Sequence, residues 1–236
     1  MMEVLKERTQ IVAARQAMIQ KDVSLVDSRL RTLLKRFGLA SGIAMGDVVK
    51  SWDVLRTLEF IESRLDKGDP IADIGCYASE VLVALCKLGY TNLTGVDLNP
   101  KLSDMPYQGR IRYQVSDFKR TPFADASFKA ITSISVIEHG FEAEPLLKEM
   151  SRLLMPGGHF IASFDYWPEK IDTSTTKFFD MDWIIFSKED IDAMLAVAAR
   201  FDLHPVGPLN YAAGDRVIDC AGKKYTFGML VLRKGA

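Results

Sequence analysis

The spacing of apolar positions changes character near residue 70. Before it, Val26, Leu30, Leu33, Leu34 and Phe37 recur at helical spacing, with Ser24 placed to cap the start and Gly38 to end it. Asp47 opens a second predicted helix whose inner face is Trp52, Leu55, Leu58, Ile61 and Leu65, stopped by Gly68 and Pro70. The earlier segment, 4–20, also reads as helical. After Pro70 short β-branched runs alternate with helices. The strands are Ile71–Ile74, Leu93–Asp97, Ile111–Val115, Ala130–Val136, His159–Asp165 and Lys224–Leu232. The helices are Ser79–Leu88, Glu142–Leu154, and one opened by a Ser187/Asp190 capping box and running to Phe201. Strands separated by helices of this length predict an α/β, doubly wound, mostly parallel sheet, with ligands at the carboxyl ends of its strands. Residues 1–67 are read as an N-terminal helical extension and 68–236 as the main domain.

Composition narrows the class. The 236 residues are 48% hydrophobic with a formal charge of −1, which carries no nucleic-acid footprint. No apolar run approaches a membrane span, and MMEVLKERTQ has no apolar signal core. Cys76, Cys86 and Cys220 lack metal spacing and read as reduced thiols of a cytoplasmic protein. His139, His159 and His204 show no ligand pattern, so no metal site is expected. Arg29, Arg31, Lys35 and Arg36 form a basic stripe, read as a solvated face.

The stretch IADIGCYASE, residues 71–80, runs from a strand into a turn. A nucleotide site there needs a tight bend, which Gly75 allows, and a carboxylate at the next strand end, which Asp97 supplies 22 residues later. The dinucleotide fingerprint G-x-G-x-x-G is absent. Tyr77 and Glu80 stand where close approach of a pyrophosphate needs glycine and a bare helix N-terminus. A cofactor without phosphate and with a cationic sulfonium fits better.

IADIGCYAS resembles motif I of class I S-adenosylmethionine-dependent methyltransferases, and LTGVDLNP resembles the motif that follows it. VSDFKRTPFADASFKAI and ISVIEHG, then LKEMSRLLMPGGHFI, are similar to the later motifs, in the same order. The resemblance spans about residues 70–165 and is strongest to the ubiquinone-biosynthesis-like (type 11) group. It implies a seven-stranded Rossmann-like sheet and S-adenosyl-L-methionine as cofactor. Gly75 and the backbone at Cys76 would hold the methionine part, and Asp73 its amino group. Asp97 would take the ribose hydroxyls, Leu98 and Phe118 the adenine faces, and Asp117 the adenine amino group. Ser135 would offer backbone contacts to the amino-acid end, and Trp52 would close the pocket. Tyr77 and Ser79 depart from the glycines of the motif. Tyr77 then needs either a non-positive φ or a strained one, and its ring would lie near the methionine moiety. The alternative is a non-catalytic binding or scaffold protein whose cofactor site Tyr77 obstructs.

Methyl transfer is an in-line displacement, so the protein mainly aligns the acceptor and excludes water. Where an O, N or C acceptor must lose a proton, the base candidates are His139, Glu138, Asp165 and Tyr166. The segment 165–186 is read as a substrate lid or insertion over a small-molecule acceptor. Its aromatics, among them Phe178, Phe179 and Trp183, either wall the acceptor or staple the N-terminal helices to the sheet. Those helices also offer a face for a homodimer.

Overall fold

A computed structural model describes residues 1–26 and 42–236. The predicted helix through Leu30 and Phe37, with its basic stripe, lies outside the described residues. The N-terminal segment is not wholly helical. Met2–Val4 forms strand β1, and helix α1 runs from Arg8 to Gln20, opened by a Glu7/Gln10 capping box. The Asp47 side chain accepts from Val49 N (2.9 Å) and starts a short 3₁₀ turn, Val48–Lys50, that leads into α2, Ser51–Arg64.

From there the strands and helices follow the predicted alternation, with shifted ends. They are β2 (Ile71–Ile74), α3 (Val81–Lys87), β3 (Leu93–Asp97), β4 (Ile111–Val115), β5 (Phe128–Ile134), α4 (Ala143–Leu153) and β6 (Leu154–Tyr166). Next come a small hairpin of β7 (Lys177–Phe178) and β8 (Met181–Asp182), then α5 (Lys188–Arg200), β9 (Leu203–Pro205), β10 (Ile218–Cys220) and β11 (Lys223–Lys234). The Ser187/Asp190 capping box opens α5 as expected.

The main sheet runs β1-β11-β6-β5-β2-β3-β4. Every pair from β6 to β4 is parallel, and β11 lies antiparallel to β6. The outer edge of β11 is shared by β1 and β9, each antiparallel to it. The chain start therefore covers part of an edge that would otherwise expose unpaired amides.

Both faces are covered, as the doubly wound reading requires. One core packs α1, α2 and α3 on the sheet through Ile11, Met18, Leu58, Ile61, Val83 and Ile161. The other packs α4 and α5 through Leu147, Met150, Phe160, Ile191 and Met194. The strand period of two decides which β6 residues meet which layer. Phe160, Ala162, Phe164 and Tyr166 join the α4/α5 core, whereas Ser163 reaches Asp53 of α2 (2.8 Å). Among the described residues, no helix is long and apolar enough to cross a membrane.

Candidate active site

The carboxyl ends of β2, β3 and β5 open into a cavity of about 1060 Å³. Its first element is the turn after β2. Gly75 takes φ 69°, and a Cβ there would lie 2.2 Å from the Val136 side chain, so only glycine fits. Tyr77 is not in the left-handed region; Ala78 takes that conformation instead, at φ 61°. The loop thus keeps its bend without its later glycines by moving the positive φ to a residue with a small side chain.

Every amide of this turn is already engaged. Gly75 N and Cys76 N donate to Val96 O (2.8 and 3.2 Å), and Tyr77 N to Asp97 Oδ2 (2.9 Å). Ala78 N meets Met105 Sδ (3.3 Å), and Ser79 N donates to Cys76 O (3.0 Å). A diphosphate needs free amides converging on it, and from Gly75 to Ser79 none is free. This is a stronger exclusion than the charge of Glu80, because that carboxylate is neutralised. Arg15 of α1 grips Glu80 with two bonds of 2.8 Å, and its other donors reach Ser51 Oγ, Ser24 Oγ and Asp47 O. Leu25 N and Gly46 N also bond this region, to Glu80 Oε1 (2.7 Å) and Ala78 O (2.8 Å). The N-terminal segment is clamped onto the turn, and Gly46, Asp47 and Lys50 become cavity wall.

Beyond the turn, Asp97 is presented by two amides, Tyr77 N on Oδ2 and Asn99 N on Oδ1 (2.8 Å). Each oxygen keeps a lone pair for a further donor, the arrangement a vicinal diol uses. Leu98 stands at the rim, 57% exposed. Asp117 is fixed through Oδ1 by Lys119 N (2.8 Å), and Phe118 lies beside it in the wall.

The opposite wall combines Ser135, Val136 and His139 after β5 with the β7–β8 hairpin. Ser135 adopts φ 52°, and its amide is committed to Ser163 O (3.0 Å), so its carbonyl and hydroxyl are what it can offer. Among the described residues three cations line the cavity. Lys119 is bonded to Glu142, and Lys177 to Asp182 (3.1 Å). Lys50 bonds the Ser135 hydroxyl, sits 3.7 Å from the Phe227 ring centroid, and has Asp165 only at 3.9 Å. His139 packs edge-on against Phe178 and Phe179 (5.6 and 5.8 Å), and burial lowers its pKa.

Several residues singled out from the sequence lie elsewhere. Trp52 is buried between α1 and α2 and lines a separate groove with Ala14 and Leu55. Tyr166 points into the α4/α5 core, its hydroxyl on Tyr211 O (2.8 Å), because its neighbour Asp165 takes the α2 side. Cys76 is buried beneath Gly95, and burial drives its thiol pKa far up, which removes it as a nucleophile. Glu138 and Asp165 are buried behind the wall rather than in it. Asp73 is buried too, with Oδ1 on Thr132 Oγ1 (2.7 Å). Burial raises its pKa to about 7, against the hydrogen bonds from Thr132 and Ser79. Gly75, Tyr77, Asp97, Leu98, Asp117, Phe118, Ser135 and His139 do share the cavity. Sequence reasoning missed Lys50 and Arg15. Arg15 carries a readable signal, since it stands on the apolar stripe of Ile11, Ala14 and Met18.

Residues 72–162 match the family described as "Methyltransferase domain". The chain is 35% identical over 140 residues to the ubiquinone/menaquinone biosynthesis C-methyltransferase of Geotalea daltonii, covering 55% of this chain and 58% of that protein. It is 30% identical over 113 residues to the ubiquinone biosynthesis O-methyltransferase of Coxiella burnetii, covering 45% and 48%. The chain spans about half the length of these curated relatives. Geranyl diphosphate C-methyltransferase from Streptomyces coelicolor shares the fold at a TM-score of 0.57 and 15% identity, over 98% of this chain and 99% of that one. The engaged turn and the twice-held Asp97 both lie within residues 72–162, the stretch that matches the methyltransferase domain.

Proposed function

We propose that the protein transfers a methyl group from S-adenosyl-L-methionine to a small-molecule acceptor. The observation that carries this is Asp97, held by two amides at a strand tip beside a turn with no amide left for phosphate. The cofactor, when bound, supplies a methyl group on a good, neutral leaving group. The chain's part is to bind, orient and exclude water. Asp97 accepts from the ribose hydroxyls. Leu98 and Phe118 cover the base, and the second oxygen of Asp117 accepts from its amino group. Among the described residues Lys50 is the cavity cation most loosely paired, with Asp165 at 3.9 Å, and it faces the carboxylate of the amino-acid tail. At about 1060 Å³ the cavity exceeds a typical small-molecule site, so cofactor and acceptor fit together.

The acceptor end is the side of His139, Phe179 and Met181, under the 165–186 segment. His139 is the group there that can take a proton from a hydroxyl or an acidic carbon. Glu138 and Asp165 set its surroundings from behind. The curated relatives are named as O- and C-methyltransferases, and either acceptor atom suits this wall. The obstructed-scaffold alternative is not favoured, because the cavity stays open with Tyr77 in its lining. Calorimetric titration with S-adenosylmethionine and S-adenosylhomocysteine tests the reading. Micromolar binding of both is expected, weakened about 100-fold by Asp97→Ala through loss of two charge-assisted bonds. Binding of neither would overturn it.

A further inference from the structure

Behind the cavity wall lies a buried polar chamber, a cluster of three carboxyl groups around Lys50. Asp53 comes from the first turn of α2, Glu138 from the segment after β5, and Asp165 from β6; all three are buried. Asp53 Oδ2 accepts from Ser163 Oγ (2.8 Å) and Asp165 Oδ2 from Trp183 Nε1 (2.8 Å). Asp53 Oδ1, Glu138 Oε2, Asp165 Oδ1 and His139 Nδ1 are buried with no hydrogen-bond partner among the described residues. Lys50, from the turn leading into α2, is the charged partner within reach, at 3.9 Å from Asp165. The remaining titratable neighbours are His139 and Tyr225, the latter on β11 beside Asp165.

One ammonium thus serves three buried carboxyl groups, and the same ammonium stands in the cavity wall. An ion cannot fully neutralise two sets of anions at once. We propose that Lys50 is a shared cation, held by the chamber in the free protein and taken over by the cofactor carboxylate on binding, so that the chamber takes up a proton as the cofactor enters. The inference rests on the cavity being the cofactor site and deepens it into a proton-linked one. Burial raises the pKa of all three carboxyl groups and brings Asp53, at about 6, within the range where proteins work. By linkage, affinity for the cofactor falls as pH rises through that range, by up to about tenfold per pH unit.

The test is isothermal titration of the full chain with S-adenosylhomocysteine at pH 7 in buffers of different ionisation enthalpy. The expected result is net proton uptake of about half a proton or more. Glu138→Gln and Asp53→Asn should each reduce the uptake while binding persists. Lys50→Arg should keep it, and Lys50→Met should abolish it, because the chamber is then already protonated before binding. Binding with no buffer-dependent heat overturns the shared-cation proposal and leaves the cofactor reading standing. Uptake that Lys50→Met retains also overturns it, since the proton then comes from elsewhere. No binding of the probe overturns both.

Discussion

The two sides of the cavity are built in different ways. On the side of Asp97 and Asp117 each polar group is positioned by backbone close to it: Asp97 by Asn99 N and the adjoining turn, Asp117 by Lys119 N. Those contacts follow from short loops at the ends of β3 and β4. The other side is assembled from side chains far apart in the chain. Ser135, His139 and the β7–β8 hairpin are joined by bonds such as Gly140 N to Asp182 O (2.8 Å), and Lys50 meets them because the N-terminal segment is strapped across the sheet. A site of the first kind survives wherever its strands form. A site of the second kind depends on a few long-range contacts, each able to undo it.

Arg15 is the contact whose loss should cost most. All five guanidinium N–H groups are used, two of them on the buried carboxylate of Glu80. Arg15→Ala leaves that carboxylate unpaired, and breaking a buried pair costs about 3–5 kcal/mol. Denaturant unfolding of the variant should show a loss of that size, while Arg15→Met combined with Glu80→Leu recovers much of it. A loss below about 1 kcal/mol for Arg15→Ala would mean the strap is held elsewhere, and the contrast between the two sides would weaken.

Asp73 sharpens the comparison from the other direction. The motif resemblance gives it to the cofactor amino group, yet it is buried and bonded to Thr132 rather than set in the cavity wall. Its folded pKa of about 7 lies above the ordinary carboxylate value. The protonated group therefore supports the fold fully at low pH, below about 4, and that support is lost as pH rises through about 7. Asp73→Asn should be more stable than the native chain at pH 8, by about 4 kcal/mol, with the advantage gone near pH 4. Its affinity for S-adenosylhomocysteine should stay within about threefold. A collapse of binding would instead return Asp73 to the cofactor.

The same contrast explains what the sequence made legible. The parallel strands, the Ser187/Asp190 capping box and the turn with its distant Asp97 are local patterns of period, cap and spacing, and they fell within a few residues of the observed elements. Tyr166 shows the limit. The strand end was placed within one residue, but which face a side chain takes is settled by register, and Asp165 holds the α2 side. Trp52 failed for a related reason, since an apolar residue on an inward helix face says nothing about which neighbour it meets. β1 is three residues long and is defined only by its partner β11, so no period could show it. Lys50 carries no local signal at all, because its role is conferred by β5, β6 and β11 together.

The hairpin offers the smallest effect and the one whose two readouts oppose each other. Phe179 and Asp180 both sit in the left-handed region, at φ 55° and 63°, as the two central residues of the β7–β8 turn. Glycine and asparagine are the usual choices there, and a phenylalanine in that conformation costs about 1 kcal/mol or more. The ring recovers little of this by burial, since it is 83% exposed and touches His139 only edge-on. An apolar side chain held out at a backbone cost, over the end of the cavity proposed for the acceptor, points to a covering role when an acceptor is present. Phe179→Gly should accordingly stabilise the chain by about 1 kcal/mol in denaturant unfolding and leave S-adenosylhomocysteine affinity unchanged. Turnover of any acceptor that the native chain methylates should fall about tenfold, through KM more than kcat, because a covering contact is lost and the displacement itself is untouched. If the variant is less stable than the native chain, the His139 contact outweighs the turn strain and Phe179 is a staple. If it is more stable and turnover is unchanged, the hairpin tip has no part in holding the acceptor.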